Sequence, residues 1–460
     1  MSPLPLVSHD SPDSIIARRA EGAVTVRQFL AEVRQLAALF PAGSHLLNMC
    51  GDRYRFSVGL AAAIVAGKVS LLPSTHTPET VRQIKVYAPD VFCLTDSDVC
   101  TVNLPQLRYP AMGIGGQADA VIIPQIDSSQ RIAVVFTSGS TGSPQPHPKT
   151  WGALVSSVMA EAARLRLSHD SRCTLVGTVP PQHMYGLEST VLMAWCSGNA
   201  LSHAQPFYPA DICQALAAVP TPRVLVSSPV HLRALLDAGL DTGLDTGRGA
   251  GLVLPEIAGV VSATAPLSAQ LAQDIEARCN APLMEIYGST ETGQIATRRS
   301  TQTAQWQLLP GVKLLVEGDR VRATGAHIET PTVMNDILEP ITDEHFLLHG
   351  RMADLVNIAG KRHSLAGLNH LLNSIPGVVD GAFYMPDETS PDHVTRLAAC
   401  VVAPGMEAAH LLAALRECID PVFLPRPLLF VEALPRNRTG KLPREALQAL
   451  FQARRAQKSA

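Results

Sequence analysis

FTSGSTGSPQPHPK, residues Phe136 to Lys149, is the stretch on which the reading of this chain turns. It continues the apolar run Ile132, Ala133, Val134, Val135, Phe136, which reads as a buried strand. Thr137, Ser138, Gly139, Ser140, Thr141 and Gly142 are all small hydroxyls or glycines. A strand leading into such a turn brings backbone N–H groups close to phosphate oxygens, because glycine accepts positive φ and has no side chain to block approach. The hydroxyls add donors on several sides, so the stretch is a candidate cradle for the phosphates of ATP. Taken alone it also has the composition of an ordinary turn. The pattern G-x-x-x-x-G-K-[ST] is not met: Lys149 and Thr150 follow, but Pro148 stands where the second glycine belongs. A P-loop kinase or ATPase is therefore disfavoured.

On either side of this stretch, helical and strand periodicities alternate. Upstream, Val26 to Phe40, Phe56 to Val65 and Pro78 to Tyr87 read as helices, with strands at Leu46 to Met49 and Val69 to Leu72. Downstream, helices are expected over Thr150 to Leu167, Gly186 to Cys196, Val230 to Leu236 and Leu267 to Cys279. Strands are expected at Cys173 to Val179, Val224 to Val226, Val260 to Val261 and Leu283 to Tyr287. Such alternation predicts an α/β fold with mostly parallel sheets. Beyond Thr297 the helical pattern stops, and Gln305 to Leu309, Val312 to Glu317, Arg320 to Thr324 and His345 to Leu348 predict a β-rich subdomain. From Met352 a small α/β unit follows and ends in a helix over Pro443 to Arg455. The expected organisation is an N-terminal domain over residues 1–350, with 297–350 β-rich, and a small C-terminal lid over 351–460.

The 460 residues are 46% hydrophobic and 17% charged, the balance of a well-packed globular chain, and the net charge of −3 offers no field for nucleic acid. The nine cysteines show no C-x-x-C and no zinc spacing, as expected of reduced thiols in a soluble cytoplasmic protein. No membrane span is expected, since the longest apolar stretch, Val58 to Leu72, is interrupted by Lys68.

Five further segments occur in order: PPQHMYG at Pro180 to Gly186, IYGSTETG at Ile286 to Gly293, HGRMADLVNIAGKR at His349 to Arg362, LPRNRTGK at Leu434 to Lys441, and, upstream, LAAAIVAGKVSLLPSTHTPE from Leu60. With the hydroxyl-rich turn, this order resembles the acyl-adenylate-forming ligases, which include acyl- and aryl-CoA synthetases, nonribosomal peptide synthetase adenylation domains and luciferases. The resemblance runs from about Gly59 to Lys441.

It implies ATP and magnesium as cofactors, a small-molecule carboxylic acid as substrate, and a phosphopantetheine thiol, on an acyl carrier protein or CoA, as acceptor. It implies that Glu291 holds Mg2+, with Thr141 as a second contact, a role that suits an ion favouring one or two carboxylates plus phosphates. Tyr287, Gly288 and Thr290 would contact adenine or phosphate, and Ser262 to Pro266, including Ala263 and Thr264, would wall the adenine. Asp336 lies fifteen residues before Arg351, the spacing of the family's ribose-binding aspartate, and a carboxylate can accept from both ribose hydroxyls. Asp343 is the rival and aligns with a turn. Gly360 and Arg362 match the lid segment lining the thiol's tunnel, His183 falls in the acyl pocket and its gate, and Lys441 is the catalytic lysine, an ammonium able to offset charge as the carboxylate attacks the α-phosphorus.

Three departures stand out. The lysine expected soon after the turn is Gln145, leaving Lys149 to reach the phosphates or the contact to be lost. The hinge position is Ala353, beside Asp354. The chain is also short for the family, mainly at its N-terminus. Shortness, the HMYGLE segment and the displaced lysine look most similar to stand-alone ligases for aryl acids in aryl-polyene pigment pathways, which implies a hydroxybenzoate-like acid passed to a carrier protein. The alternatives are a fatty-acid or aryl CoA ligase, and a lapsed adenylating domain that senses nucleotide.

Overall fold

A computed structural model describes residues 2–73, 75–111, 121–138, 144–241, 252–318, 320–351, 355–358, 361–385, 397–437 and 440–459. The apolar run before the hydroxyl-rich turn lies in strand Arg131–Ser138, which pairs in parallel with Val69–Leu72. The six-stranded sheet continues through His45–Asn48, Phe92–Thr95 and Gln106–Arg108, all parallel. Its other edge is Pro144–Thr150, running back antiparallel on Arg131–Ser138 with Gln145 opposite Thr137 and His147 opposite Val135. Pro144, Pro146 and Pro148 alternate, so every missing N–H falls on one side of the strand, which an edge position tolerates. The same period of two puts His147 and Lys149 on one face.

The second sheet has eleven strands and a parallel centre: Ile15–Arg19, Ala200–Ser202, Thr174–Gly177, Arg223–Ser227, Gly259–Ser262 and Leu283–Ser289. Beyond Leu283–Ser289 it continues antiparallel through Gly293–Arg298, Trp306–Leu308, His345–Arg351 and Asp336–Pro340. Half of the strands in the β-rich stretch after Thr297 thus extend the large sheet. Lys313–Glu317, Arg320–Gly325 and Ile328–Val333 form a separate three-stranded sheet. The periodicity reading missed Ile328–Val333, Asp336–Pro340 and the N-terminal pair Ile15–Arg19 and Gly22–Thr25.

Helix Arg53–Val65 is buried almost all round, and Phe56, Leu60 and Ile64 share a core cluster with Trp151, Leu187 and Trp195. The expected helix over Gly186 to Cys196 is a composite: a turn at Met184–Gly186, a π-helix at Leu187–Leu192, and an α-helix at Met193–Ser197. C-terminal to Arg351, strands Asp380–Tyr384, Ala398–Val402 and Leu428–Phe430 form a small sheet with helices Leu365–Asn373, Ala408–Cys418 and Arg444–Ser459. Each cluster of buried apolar side chains lies wholly on one side of Arg351. Among the described residues no helix is long and apolar enough to cross a membrane.

Candidate active site

Glu291 sits in the tight turn between strands Leu283–Ser289 and Gly293–Arg298. Ser289 and Thr292 bind each other reciprocally across this turn, each backbone N–H donating to the other's hydroxyl at 3.2 Å. Gly288 allows the two strands to close: a Cβ there would lie 2.2 Å from the Gly293 carbonyl oxygen. The turn therefore holds the exposed Glu291 carboxylate in a fixed place. Its Oε1 lies 3.8 Å from Nε2 of His147, and that nitrogen is 2.9 Å from the Thr137 hydroxyl at the end of the strand before the hydroxyl-rich turn. A carboxylate beside the start of a phosphate cradle fits a magnesium ion, which needs few protein ligands. When bound, the ion would bridge phosphate oxygens and offset their charge. Gly139, Ser140, Thr141 and Gly142 lie outside the described residues, as does the side chain of Ser138.

Beside Glu291 opens a cavity of about 300 Å³. One wall is the edge strand, with His147, Pro148 and Lys149; helix Trp151–Leu165 adds Leu154 and Ser157, and the segment after Pro180 adds Met184 and Glu188. The Thr292 turn, His327 and the strand bearing Glu329 close it. Lys149 donates to the Glu291 carbonyl at 3.2 Å; burial lowers its ammonium pKa, against the charges of Glu188, Glu291 and Glu329. Burial pushes the Glu188 carboxyl up to about 7, though one of its oxygens accepts a 2.7 Å bond from Ser157. Behind it, burial raises Glu161 to about 8 despite hydrogen bonds from Gln294 at 2.8 Å and from Ser189.

Tyr287 packs its ring against Trp306 and Phe346 and donates its hydroxyl to Asp336 at 2.5 Å. Asp336 opens its strand directly opposite Arg351, whereas Asp343 is exposed in the turn of the same hairpin. Ala263 and Thr264 follow the carboxyl end of parallel strand Gly259–Ser262, the edge at which ligands settle in such sheets. Thr264 has φ +82, a left-handed conformation that a β-branched residue rarely adopts. Thr290 is half-buried beside Glu291. Arg351 and Arg362 lie in described strands, but their side chains, and Gly360 entirely, lie outside the described residues.

His183 accepts a bond from the Tyr185 N–H at 3.3 Å, and its pKa is lowered to about 4, by burial first and then by the positive charge of Lys441. The C-terminal lysine thus lies near enough for its charge to act on His183. A Cβ on Gly440 would sit 3.1 Å from the Val230 side chain, and Lys441 itself is exposed. Asn437 braces the loop, its side-chain oxygen accepting from the Lys441 N–H at 2.9 Å. Arg436 pairs with Asp380 through two 2.8 Å bonds and donates to the Gly440 carbonyl at 3.0 Å.

The sequence reading missed His147, Ser157, Glu161, Glu188 and His327. A carboxylate inside the apolar run LESTVLMAWC was a legible sign of a buried charge at Glu188; His327 carried no local sign. It also missed Arg53, fully buried, whose guanidinium donates to the carbonyls of Gly177 at 2.8 Å and Val179 at 3.0 Å beneath the end of a central strand.

A layered α/β body, with the acidic Glu291 turn beside a polar cavity, is followed by a small C-terminal α/β unit. The chain belongs to the AMP-binding enzyme family, matched over residues 8–326, with that family's C-terminal domain matched over 368–441. It is an adenylate-forming enzyme of the acyl/aryl-CoA ligase type, a family that typically uses ATP and Mg2+. It is similar to 4-coumarate–CoA ligase of Rhodobacter capsulatus, 30% identical over 313 residues, 67% of this chain and 74% of the relative. It is also similar to 2-succinylbenzoate–CoA ligase of Bacillus mycoides, 25% identical over 426 residues, 84% of each. Its fold matches ATP-bound MatB from Rhodopseudomonas palustris, TM-score 0.79 at 19% identity, covering 96% and 97% of the two chains.

Proposed function

We propose that this enzyme, acting in the cytoplasm, adenylates an aryl acid such as a hydroxybenzoate and passes the acyl group to the phosphopantetheine thiol of an acyl carrier protein. It would serve as a stand-alone ligase of the aryl-polyene kind. The body is residues 1–350 and the lid 351–460. The observation that supports this reading is the seating of the C-terminal lysine loop on the body: Gly440 packs against Val230, and the Lys441 charge is near enough to help lower the pKa of buried His183. A carboxylate oxygen of the acid attacks the α-phosphorus of ATP, and the bond from that phosphorus to the bridging oxygen breaks to release pyrophosphate. Lys441 offsets the charge gathering on the phosphoryl oxygens. In the second step the thiol sulfur bonds to the acyl carbon, the acyl–phosphate oxygen bond breaks, and AMP leaves as the thiol proton goes to solvent. His183, held neutral, occupies the gate through which the thiol enters. Asp336 holds the ribose, Tyr287, Ala263 and Thr264 hold the base, and the turn from Thr137 to Gly142 holds the phosphates.

CoA as acceptor is the second reading, favoured by the names of the relatives, 4-coumarate–CoA and 2-succinylbenzoate–CoA ligase. The experiment is pyrophosphate exchange with 4-hydroxybenzoate, followed by mass measurement of acyl transfer to a phosphopantetheinylated carrier and to CoA. Exchange with transfer to the carrier at least tenfold faster is expected. Faster transfer to CoA would overturn the carrier assignment, and no exchange with any acid would overturn the ligase.

A further inference from the structure

The deep wall of the cavity beside Glu291 is polar where a pocket for a hydrocarbon chain would be apolar. Lys149 is 8% exposed, His327 6%, Glu188 1% and Ser157 1%. The Lys149 ammonium carries three protons, and one is directed to the Glu291 carbonyl. Glu188 accepts from Ser157 at one oxygen and is also hydrogen-bonded by Gln294, which leaves part of its capacity for a ligand. Burial holds His327 neutral, with one N–H and one lone pair; neither ring nitrogen is in hydrogen-bond geometry with a partner, although the backbone of Thr292 and Gln294 lies close enough to favour its proton.

Resting on the adenylating reading above, we infer that Lys149, Glu188 and His327 read an uncharged hydroxyl, set away from the carboxylate, on a compact acid. A hydroxyl both donates and accepts, which is what a wall of an ammonium, a carboxyl and a neutral imidazole requires. A hydrocarbon tail would leave the remaining Lys149 protons and the His327 ring nitrogens desolvated with nothing to bind. A second carboxylate would enter beside Glu188, Glu291 and Glu329, three carboxyls already gathered around one ammonium. The volume, about 300 Å³, is at the small end for ligand pockets, which suits a short acid rather than a long chain. Lys149 then serves the acid rather than the outer phosphates.

The test is pyrophosphate exchange by the full-length enzyme with benzoate against 4-hydroxybenzoate, cinnamate against 4-coumarate, terephthalate, and octanoate. ATP binding is followed in parallel by calorimetry. The hydroxylated acid of at least one pair is expected to lead its unsubstituted partner, terephthalate and octanoate by about 10²-fold in kcat/KM, since a site built to bind a hydroxyl rejects the analogue lacking it. Glu188→Gln, His327→Leu and Lys149→Met should each shrink that ratio to about tenfold or less, through the KM for acid, with the KM for ATP within about twofold of the parent. Equal use of the paired acids, preference for terephthalate or octanoate, or a Lys149→Met defect confined to the KM for ATP overturns the inference while leaving the adenylating reading intact. ATP binding with no exchange from any acid overturns both.

Discussion

The two lysines of the site are placed by opposite means. Lys149 is buried on an edge strand, where alternating prolines and strand register set its direction, and carboxyl groups surround its charge. Lys441 is exposed on a loop whose backbone is fixed by Asn437 and by the Arg436–Asp380 pair. The body carries the cost of buried titratable groups permanently: burial shifts their ionisation, and the hydrogen bonds among them offset that shift only in part. The C-terminal unit leaves its ammonium solvated and invests its interactions in the backbone that carries it. A binding wall can therefore be rigid from the start, while the reacting cation keeps a low desolvation cost until substrate arrives.

If the body bears that cost, its stability has a recognisable pH dependence. Glu161, with a carboxyl raised from 4.5 to about 8, keeps an extra proton in the folded state between those values. Its contribution is fully present below pH 4.5 and is lost as pH rises toward 8. His183 and His327, lowered from 6.5 to about 4, act oppositely, adding stability as pH rises from 4 to 6.5. Comparison with Glu161→Gln isolates the carboxyl. The unfolding free energy of the wild type relative to that variant should fall by roughly 3–5 kcal/mol between pH 4.5 and 8. Urea titrations followed by fluorescence of Trp151 and Trp195, both buried in the body, measure it. A difference independent of pH would show that the interior carboxyls carry no such cost.

The lid side breaks differently. Lys441→Ala should lower pyrophosphate exchange by about 10² or more, the usual loss for one transition-state contact, with little change in unfolding because the side chain is exposed. Exchange equal to wild type would remove Lys441 from the chemistry.

This contrast also explains what the sequence could disclose. Val69–Leu72 and Pro78–Tyr87 are found at the bounds their pattern predicts: the strand is a short buried run stopped by Pro73, and the helix buries Val81 and Ile84 behind a Thr77 cap. Ile328–Val333, IETPTV, is largely exposed, so no alternation marked it as a strand. Candidate residues in ordered motifs, such as Glu291 and Lys441, stood out only through the resemblance those motifs carry. The polar wall did not, because it is assembled from three separate stretches of chain: Lys149 and Ser157 from an edge strand and the helix that follows it, Glu188 from a π-helical turn, and His327 from a turn of the separate three-stranded sheet. Only the lone carboxylate in LESTVLMAWC carried its own sign.

Asp336 lies between the two regimes, in the edge strand of the large sheet and directly opposite Arg351. Asp336→Asn keeps the Tyr287 contact sterically possible but removes the charge offered to ribose. The KM for ATP should rise by about 10- to 30-fold, the range for losing a charged hydrogen bond, with a smaller change in kcat. An unchanged KM would return the ribose role to Asp343, whose own Asn variant is then the one expected to fail.

The smallest effect tests the backbone bracing itself. Arg436 does not reach the reacting atoms; it ties the loop to Asp380 and to the Gly440 carbonyl immediately before Lys441. Arg436→Ala should lower kcat for adenylation by about 3- to 10-fold while leaving the KM for ATP unchanged, because displacement of a catalytic group costs rate rather than ground-state binding. Arg436→Lys, which retains the charge but not the bidentate fork, should recover only part of the loss. In the double variant with Lys441→Ala the Arg436→Ala defect should vanish, since a loop without its ammonium has nothing left to position. Additive defects would instead mean that Arg436 stabilises the C-terminal unit in general, and that the exposed lysine needs no more guidance than its solvation already allows.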